Sequence, residues 1–418
     1  MSSTPYDRNI KRRTLLKAGL AIGAVQLASP LVGRAAAAKK YDTGATDSQI
    51  KVGNINPYSG PLSAYSEIGK TQAAYFRMLN EHGGINGRKI DFLSYDDAYT
   101  PPKTVEQARK LVEDDEVLLI FSSLGTPPNS AIQKYMNAKK VPQLFVATGA
   151  TKWNDPKHFP WTMGWQPSYQ SEGHVYAHYL MKEHPNGKIA ILYQNDDYGK
   201  DYVKGLKDGL DGKLPVVSEI SYDTTEPTVD SQIITLQSSG ADVFFNVTTP
   251  KFAAQAIVRM AELKWKPLHI LNNVSASVGA VLKPAGFENS KGILSTAYLK
   301  DPTDPQWKDD PSFKTWLSFM DRYYPQGDKT SAFTIYGYAT AETLAQVLKQ
   351  CGDELTRENV MKQAANLHDL QLGLLLPGIS INTGSNDFAP IKQMQMAKFD
   401  GERWELFGPV INGGASAS

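Results

Sequence analysis

The chain has 418 residues, 41% of them hydrophobic, and a formal net charge of +1 at pH 7. This length exceeds what one ordinary hydrophobic core supports, so we expect two domains. The near-neutral charge excludes the basic footprint of a nucleic-acid-binding protein. The single cysteine, Cys351, excludes an intrachain disulfide, and we expect it to be a buried thiol.

The first 38 residues predict an export leader. Residues 12–17 read RRTLLK, the twin-arginine pattern, although Lys11 stands where a serine or threonine is commoner. The apolar stretch over residues 18–32 is too short and too interrupted to span a bilayer. Small residues follow, and we expect cleavage near Ala37. The leader holds six basic residues and one acid, so its removal moves the net charge from +1 to −4. The alternative is a basic tail with an apolar helix.

The segment from Ile50 to Asp97 predicts a βαβ unit. An apolar strand, Ile50–Ile55, is followed by a loop rich in Gly, Pro and Ser over residues 56–62. A helix is expected over Gly69–Glu81, and a second strand over Lys89–Tyr95. In such a unit the loop after the first strand faces a ligand.

Further βα units continue along the chain. A helix is expected to begin near Ser130 and another after Lys200. The remaining apolar runs predict strands at residues 117–121, 141–146, 188–193, 241–247 and 269–273. This alternation predicts an α/β fold in which parallel sheets carry helices on both faces. Ligands bind such sheets at the carboxyl ends of the strands.

The order of these motifs resembles the branched-chain amino-acid type of periplasmic binding protein, the receptor of an ABC importer. The resemblance covers nearly all of the chain after the leader. It implies a type I periplasmic binding fold: two Rossmann-like lobes joined by a hinge of three crossings. Lobe 1 would comprise residues 46–164 and 298–377, and lobe 2 residues 165–297 and 378–414.

This resemblance also implies a function without chemistry. Such a receptor is a periplasmic monomer that captures a small solute by hinge closure and delivers it to a membrane permease. The alternatives are a ligand-sensing partner of a membrane signalling protein, which would use the same fold, and an exported enzyme. Neither nucleic-acid binding nor direct membrane insertion is expected.

Motifs for catalysis or metal binding are weak. The chain has no G-x-S-x-G elbow, no Walker A loop and no G-x-G-x-x-G after a strand. His174 and His178 have the spacing of zinc ligands on one helix face, but the glutamate of H-E-x-x-H is absent. The acidic pairs at residues 96–97 and 196–197 are interpreted as loop and cap carboxylates. We therefore expect no enzyme activity, no metal and no cofactor.

Two strand-end loops, at residues 122–126 and 147–151, favour an anion site. Their small residues allow backbone amides to converge, and a helix N-terminus adds a favourable field. Ordinary turns with a capping Ser or Thr are the alternative for each loop. The resemblance assigns the ligand's carboxylate to these loops and its body to aromatic and polar residues of lobe 2. The candidate ligand-binding residues are Tyr65, Ser123, Leu124, Gly125, Thr126, Ala147, Thr148, Gly149, Trp165, Gln166, Tyr198, Thr248, Asn273 and Val274.

One departure from the resembled family concerns the ligand. Amino-acid-binding members place an acid after the fifth strand of lobe 2, where it neutralises the ligand's ammonium, but residues 272–275 read NNVS here. Burying an unpaired ammonium would cost several kcal/mol. Either Asp197 or Glu67 supplies the charge, or the ligand has no ammonium. We favour an aromatic carboxylate such as a benzoate or cinnamate derivative over a branched-chain amino acid or a short amide.

Overall fold

The structure, a computed structural model, describes residues 39–413. The leader predicted over residues 1–38 lies outside the described residues. Within residues 39–413, none of the helices combines the length and the hydropathy that a bilayer-spanning segment requires. Cys351 is buried and free, which confirms the expected thiol.

Strands and helices alternate through most of this region. The strands are β1 (Lys40–Tyr41), β2 (Gln49–Asn56), β3 (Lys89–Asp96), β4 (Leu119–Phe121), β5 (Gln143–Val146), β6 (Thr162–Gly164), β7 (Ile189–Gln194), β8 (Val216–Tyr222), β9 (Val243–Val247), β10 (Leu268–Leu271), β11 (Leu294–Ala297), β12 (Glu354–Leu355), β13 (Gln393–Phe399) and β14 (Trp404–Asn412). The helices are α1 (Ser66–Glu81), α2 (Pro101–Arg109), α3 (Thr126–Lys139), α4 (Tyr169–Glu183), α5 (Asp197–Leu210), α6 (Asp230–Ser238), α7 (Pro250–Glu262), α8 (Lys283–Ala285), α9 (Phe287–Ser290), α10 (Pro311–Tyr323), α11 (Ala332–Cys351) and α12 (Arg357–Ala364).

Two large sheets organise these elements. The first has the order β3-β2-β4-β5-β6 and is parallel throughout. The second has the order β14-β13-β11-β10-β9-β7-β8, in which β13 runs antiparallel to both of its neighbours, β11 and β14, and the other pairs are parallel. Strands β4, β5 and β9 are buried along their whole length, as expected for parallel strands covered on both faces. These features confirm the predicted α/β architecture.

Three helices begin earlier than the sequence predicted. Helix α1 begins at Ser66 rather than at Gly69. Helix α3 begins at Thr126 rather than near Ser130, with Pro127 and Pro128 in its first turn. Proline is tolerated there because the N–H groups of a first turn have no partner within the helix. Helix α5 begins at Asp197, because the carboxylate of Asp196 accepts hydrogen bonds from the N–H groups of the first turn.

The chain passes between the two sheets three times. It leaves the first sheet after β6, packs α10 and α11 on the core of the first sheet after β11, and enters the second sheet again at β13. The second and third passages lie side by side, since Leu299 forms an antiparallel bridge with Leu375 and the N–H of Lys300 donates to the carbonyl of Leu374. The lobe boundaries given above stay a prediction.

Candidate ligand-binding site

A cavity of about 110 Å³ is lined by residues that follow strands of both sheets. We call the side formed by residues after β4 and β5 the first wall, with Gly125, Thr126 and Ala147. The side formed by residues after β7, β9 and β10 is the second wall, with Tyr198, Thr249, Asn273 and Val274. Carboxyl ends of parallel strands therefore meet at the cavity, where α/β sheets bind ligands.

The first wall presents hydroxyl groups. The Oγ1 atoms of Thr126 and Thr148 lie 2.6 Å apart, and the hydroxyl of Tyr169 donates to Thr148 Oγ1 over 3.2 Å. All three side chains are buried. Because a hydroxyl can both donate and accept, this cluster can reorient its protons toward an anion.

Backbone amides contribute less to this wall than the loop sequences indicated. The N–H groups of Leu124, Gly125 and Ala147 already donate to carbonyls of neighbouring strands and loops. Pro127 and Pro128 carry no N–H in the first turn of α3. Recognition of an anion here therefore depends on the Thr126 and Tyr169 hydroxyls, which line the cavity and are linked through Thr148, more than on converging amides.

The second wall is held by a buried carboxylate. Glu172 accepts hydrogen bonds from the hydroxyls of Tyr176 and Tyr202 over 2.6 and 2.7 Å, and from the Asn273 N–H over 2.7 Å. Burial raises the pKa of Glu172, while these three donors lower it. The Tyr198 hydroxyl lies 2.5 Å from the side-chain amide of Asn272. The polar groups of this wall are thus fixed by protein partners.

Aromatic rings supply much of the remaining lining. The rings of Tyr65 and Phe333 lie 4.9 Å apart, and those of Tyr169 and Tyr198 lie 5.3 Å apart. The Tyr65 hydroxyl donates to the Val274 carbonyl over 3.0 Å, which connects a first-lobe loop to the second wall. Such rings bury large apolar areas and stack on a flat ligand.

Nine of the fourteen predicted site residues line this cavity: Tyr65, Leu124, Gly125, Thr126, Ala147, Gln166, Tyr198, Asn273 and Val274. Gly125 has a φ of +95°, and a Cβ there would lie 2.2 Å from a ring carbon of Tyr99, so the turn and the close approach both require glycine.

The other five predicted residues lie behind or beside the walls. Trp165 is fully buried, its indole N–H donates to Thr343 Oγ1 over 3.0 Å, and its ring packs edge-on to Tyr336. Thr248 donates to Asn246 Oδ1 over 2.6 Å, and the next residue, Thr249, reaches the cavity instead. Residues 148 and 149 line a neighbouring cavity beside residues 386–392. Ser123 is buried under the first wall.

Some lining residues were not predicted. They come from segments distant in the chain: Tyr99, Tyr298, Lys300, Asp301, Asp304, Trp307, Phe333, Tyr336, Trp404 and Leu406. Tyr336 is 7% exposed, and its hydroxyl has no hydrogen-bond partner within residues 39–413. A buried hydroxyl without a partner in a cavity wall is a candidate for contact with a ligand.

Neither acid proposed to pair a ligand ammonium lines the cavity. Asp197 is exposed and forms an ion pair with Lys152 over 2.9 Å. Glu67 accepts from the Tyr324 hydroxyl over 2.8 Å and from Lys70 over 3.1 Å. The acids that do line the cavity are Asp301 and Asp304. Within the described part of the chain, no group of three or more His, Cys, Asp or Glu side chains could hold a metal.

A family model described as periplasmic binding protein matches residues 49–403, so the chain belongs to the periplasmic binding protein family. It is a solute-binding protein of the ABC-type transport class, and the family implies a location outside the cytoplasmic membrane. This membership confirms the resemblance noted in the sequence.

Individual relatives agree with this assignment. The Leu/Ile/Val-binding protein homolog 7 of Brucella abortus (strain 2308) is 23% identical over 395 residues, which cover 90% of this chain and 94% of that protein. A branched-chain amino acid ABC transporter structure from Thermus thermophilus with bound valine has a TM-score of 0.80 at 14% identity, covering 88% and 97% of the two chains. A solute-binding protein of an ABC transporter from R. palustris in complex with benzoate has a TM-score of 0.74 at 18% identity, covering 88% and 98%. These similarities confirm the type I fold.

Proposed function

We propose that the protein captures a small aromatic carboxylate between the two walls and delivers it to the permease of an ABC importer. The observation that carries this proposal is the first wall, where the hydroxyls of Thr126, Thr148 and Tyr169 meet without any acidic side chain among them. Hydrogen bonds to a charged group are about twice as strong as neutral ones, so a carboxylate is the ligand group that gains most from this cluster.

The charges of the second wall support a ligand without an α-ammonium. Glu172, the buried acid behind this wall, already accepts from three protein donors. Asn273 and Val274 stand where amino-acid-binding members carry an acid. An ammonium next to the carboxylate would therefore be buried without a counter-charge, at a cost of several kcal/mol. The aromatic lining favours a flat body on the ligand.

The mechanism we propose is hinge closure. Tyr65 bonds to Val274, and the N–H of Gly279 donates to the carbonyl of Thr330 over 3.1 Å. A ligand held by the first wall adds contacts to the second wall only in this arrangement. It therefore binds the closed state more tightly and increases its population. The receptor makes and breaks no covalent bond.

A branched-chain amino acid is the second candidate ligand. It is favoured by the name of the Brucella relative and by the valine in the Thermus structure.

We also propose, from residues 12–17, that the chain is exported by the twin-arginine route and cleaved near Ala37. From the family we propose that it is a monomer. Replacing Arg12 and Arg13 by Lys should leave the protein in the cytoplasm. If the variant is still exported, the twin-arginine route is wrong, and the ligand proposal is unaffected.

A thermal-melt screen tests the ligand proposal. The protein is heated with aromatic carboxylates, aliphatic amino acids and short amides. A ligand at about 100 times its dissociation constant adds roughly 2.7 kcal/mol to the stability, which shifts the midpoint by several degrees. A shift with aromatic acids alone supports the proposal. A shift with leucine or valine but with no aromatic acid would overturn it.

A further inference from the structure

Tyr336 on α11 carries a polar atom that the fold itself does not use. The residue lines the cavity and is 7% exposed, and its hydroxyl has no hydrogen-bond partner within residues 39–413. Leaving a buried hydroxyl without a partner is unfavourable, and such groups are uncommon in folded proteins. In a cavity wall, a bound ligand can supply the missing partner.

The position of Tyr336 on its helix brings it to the ligand site. Phe333 lies three residues earlier, so the two side chains share one face of α11. The Phe333 ring lies 4.9 Å from that of Tyr65, and all three residues line the cavity. The ring of Trp165, which lies behind the lining, packs edge-on to the Tyr336 ring at 5.1 Å. Trp165 therefore fixes the Tyr336 ring from outside the cavity.

The Tyr336 hydroxyl also lies near the hydroxyls of the first wall. Burial raises the pKa of Tyr336, and the neighbouring Tyr169 hydroxyl raises it further. Because electrostatic interactions weaken with distance, this effect places the two hydroxyls near each other. Tyr169 lines the cavity too, and its hydroxyl is linked through Thr148 to that of Thr126. Tyr336 thus brings a hydroxyl from α11 to the same part of the cavity.

We propose that the Tyr336 hydroxyl donates a hydrogen bond to the ligand's carboxylate and so completes the anion site formed by Thr126 and Tyr169. This inference rests on the proposed function, because it takes the carboxylate to be held at the first wall. An ionised carboxylate has about four acceptor positions on its two oxygens, so it can receive all three hydroxyls. A primary amide has one acceptor oxygen and no charge, so Tyr336 selects an acid over the corresponding amide.

Tyr336→Phe tests this inference, because it removes the hydroxyl and keeps the ring. In titration calorimetry, we expect benzoate and para-hydroxycinnamate to bind the variant about 10- to 100-fold more weakly than the unaltered protein, since a hydrogen bond to a charged group is lost. The urea midpoint of the free protein should stay the same or rise, because the hydroxyl has no partner within residues 39–413 to lose. A lower midpoint would show that the fold uses this hydroxyl and would overturn the inference.

Matched ligands and a matched variant locate the effect. The primary amides of the two acids lack the charge, so Tyr336→Phe should weaken their binding less than that of the acids. Tyr338→Phe is the control, because Tyr338 lies on the same helix, packs against Tyr75 and Phe319, and lies outside the cavity. It should leave the affinity for both acids unchanged.

The outcomes separate the two proposals. If Tyr336→Phe binds the acids as tightly as the unaltered protein does, or loses affinity for acids and amides equally, Tyr336 does not contact the carboxylate. This inference is then overturned, while the proposed function stands. If neither acid binds the unaltered protein and leucine does, both proposals fall.

Discussion

The first wall and the second wall meet the same cavity with different chemistry. The first wall offers the small, mutually bonded hydroxyls of Thr126 and Thr148. The second wall presents Tyr198, whose hydroxyl bonds to the side-chain amide of Asn272, and Asn273, whose backbone N–H donates to Glu172. The first wall can therefore adapt its protons to one charged group, while the second is a fixed scaffold that buries the ligand's body. Substitutions in the first wall should therefore change ligand affinity, whereas substitutions that disturb the second wall should change the stability of the fold.

The largest effect is expected from Glu172→Ala, on stability. The substitution leaves the Tyr176 and Tyr202 hydroxyls and the Asn273 N–H without their acceptor in a buried site. Unsatisfied buried groups cost about 1–3 kcal/mol each, so we expect a loss of about 3–5 kcal/mol in the free energy of unfolding, measured by urea titration.

Glu172→Gln is the control for this substitution, because it keeps the shape and one acceptor oxygen. It should cost about 1–2 kcal/mol. If Glu172→Ala melts like the unaltered protein, the second wall does not depend on this carboxylate.

Acid should destabilise the second sheet through His269 on β10. Burial lowers the pKa of His269 to about 3, so the imidazole stays neutral in the folded protein while the unfolded chain takes up a proton below about pH 6.5. The stability is therefore complete above pH 6.5 and is lost as the pH falls toward 3, by about 1.4 kcal/mol per pH unit.

His269→Gln removes this titration. We expect the difference in unfolding free energy between pH 7 and pH 4.5 to shrink by about 2–3 kcal/mol in the variant. An identical pH profile for the two proteins would show that His269 does not contribute.

Affinity for an aromatic carboxylate should fall when a hydroxyl is removed from the first wall. Thr126→Val and Thr148→Val each remove one hydroxyl at nearly constant volume, and each should weaken binding of an aromatic carboxylate about 10- to 100-fold in a titration calorimeter. The control is Thr235→Val, on the exposed face of α6. Unchanged affinity in both wall variants would place the carboxylate elsewhere.

The smallest effect is expected at the contact between the walls. Tyr65→Phe removes the hydrogen bond to the Val274 carbonyl, which contributes about 0.5–1.5 kcal/mol. The closed population of the free protein should fall about 2- to 10-fold, which small-angle scattering detects as a larger radius of gyration. Tyr58→Phe is the matched control, since the Tyr58 hydroxyl bonds to Ser94 within the first-sheet region. Equal radii for the two variants would contradict this role for Tyr65.

The sequence predicted those parts of the fold that depend on local patterns. The apolar strands before Thr126 and Ala147 and the polar residues at their ends were predictable, because buried parallel strands are continuous apolar runs. The start of α3 was placed late, since Pro127 and Pro128 were interpreted as a loop although proline is favourable in a first helical turn.

The rest of the site depends on long-range packing. No local pattern indicates that Tyr336 on α11 and Asp301 in a crossing segment line the same cavity. Trp165 was expected in the lining, but its indole N–H donates to Thr343 and its ring packs edge-on to Tyr336, so the ring supports the lining from behind. The sequence carries no signal that distinguishes a ring in the lining from a ring behind it.

In the proposed complex, the first wall holds the ligand's carboxylate. A crystal structure of the protein grown with para-hydroxycinnamate tests this placement most directly. We expect the carboxylate within about 3 Å of the Thr126 and Tyr169 hydroxyls, with the ring between Tyr65 and Tyr198. A structure in which the carboxylate lies away from these hydroxyls, or in which an amino acid occupies the cavity with its ammonium against a carboxylate side chain, would contradict the account.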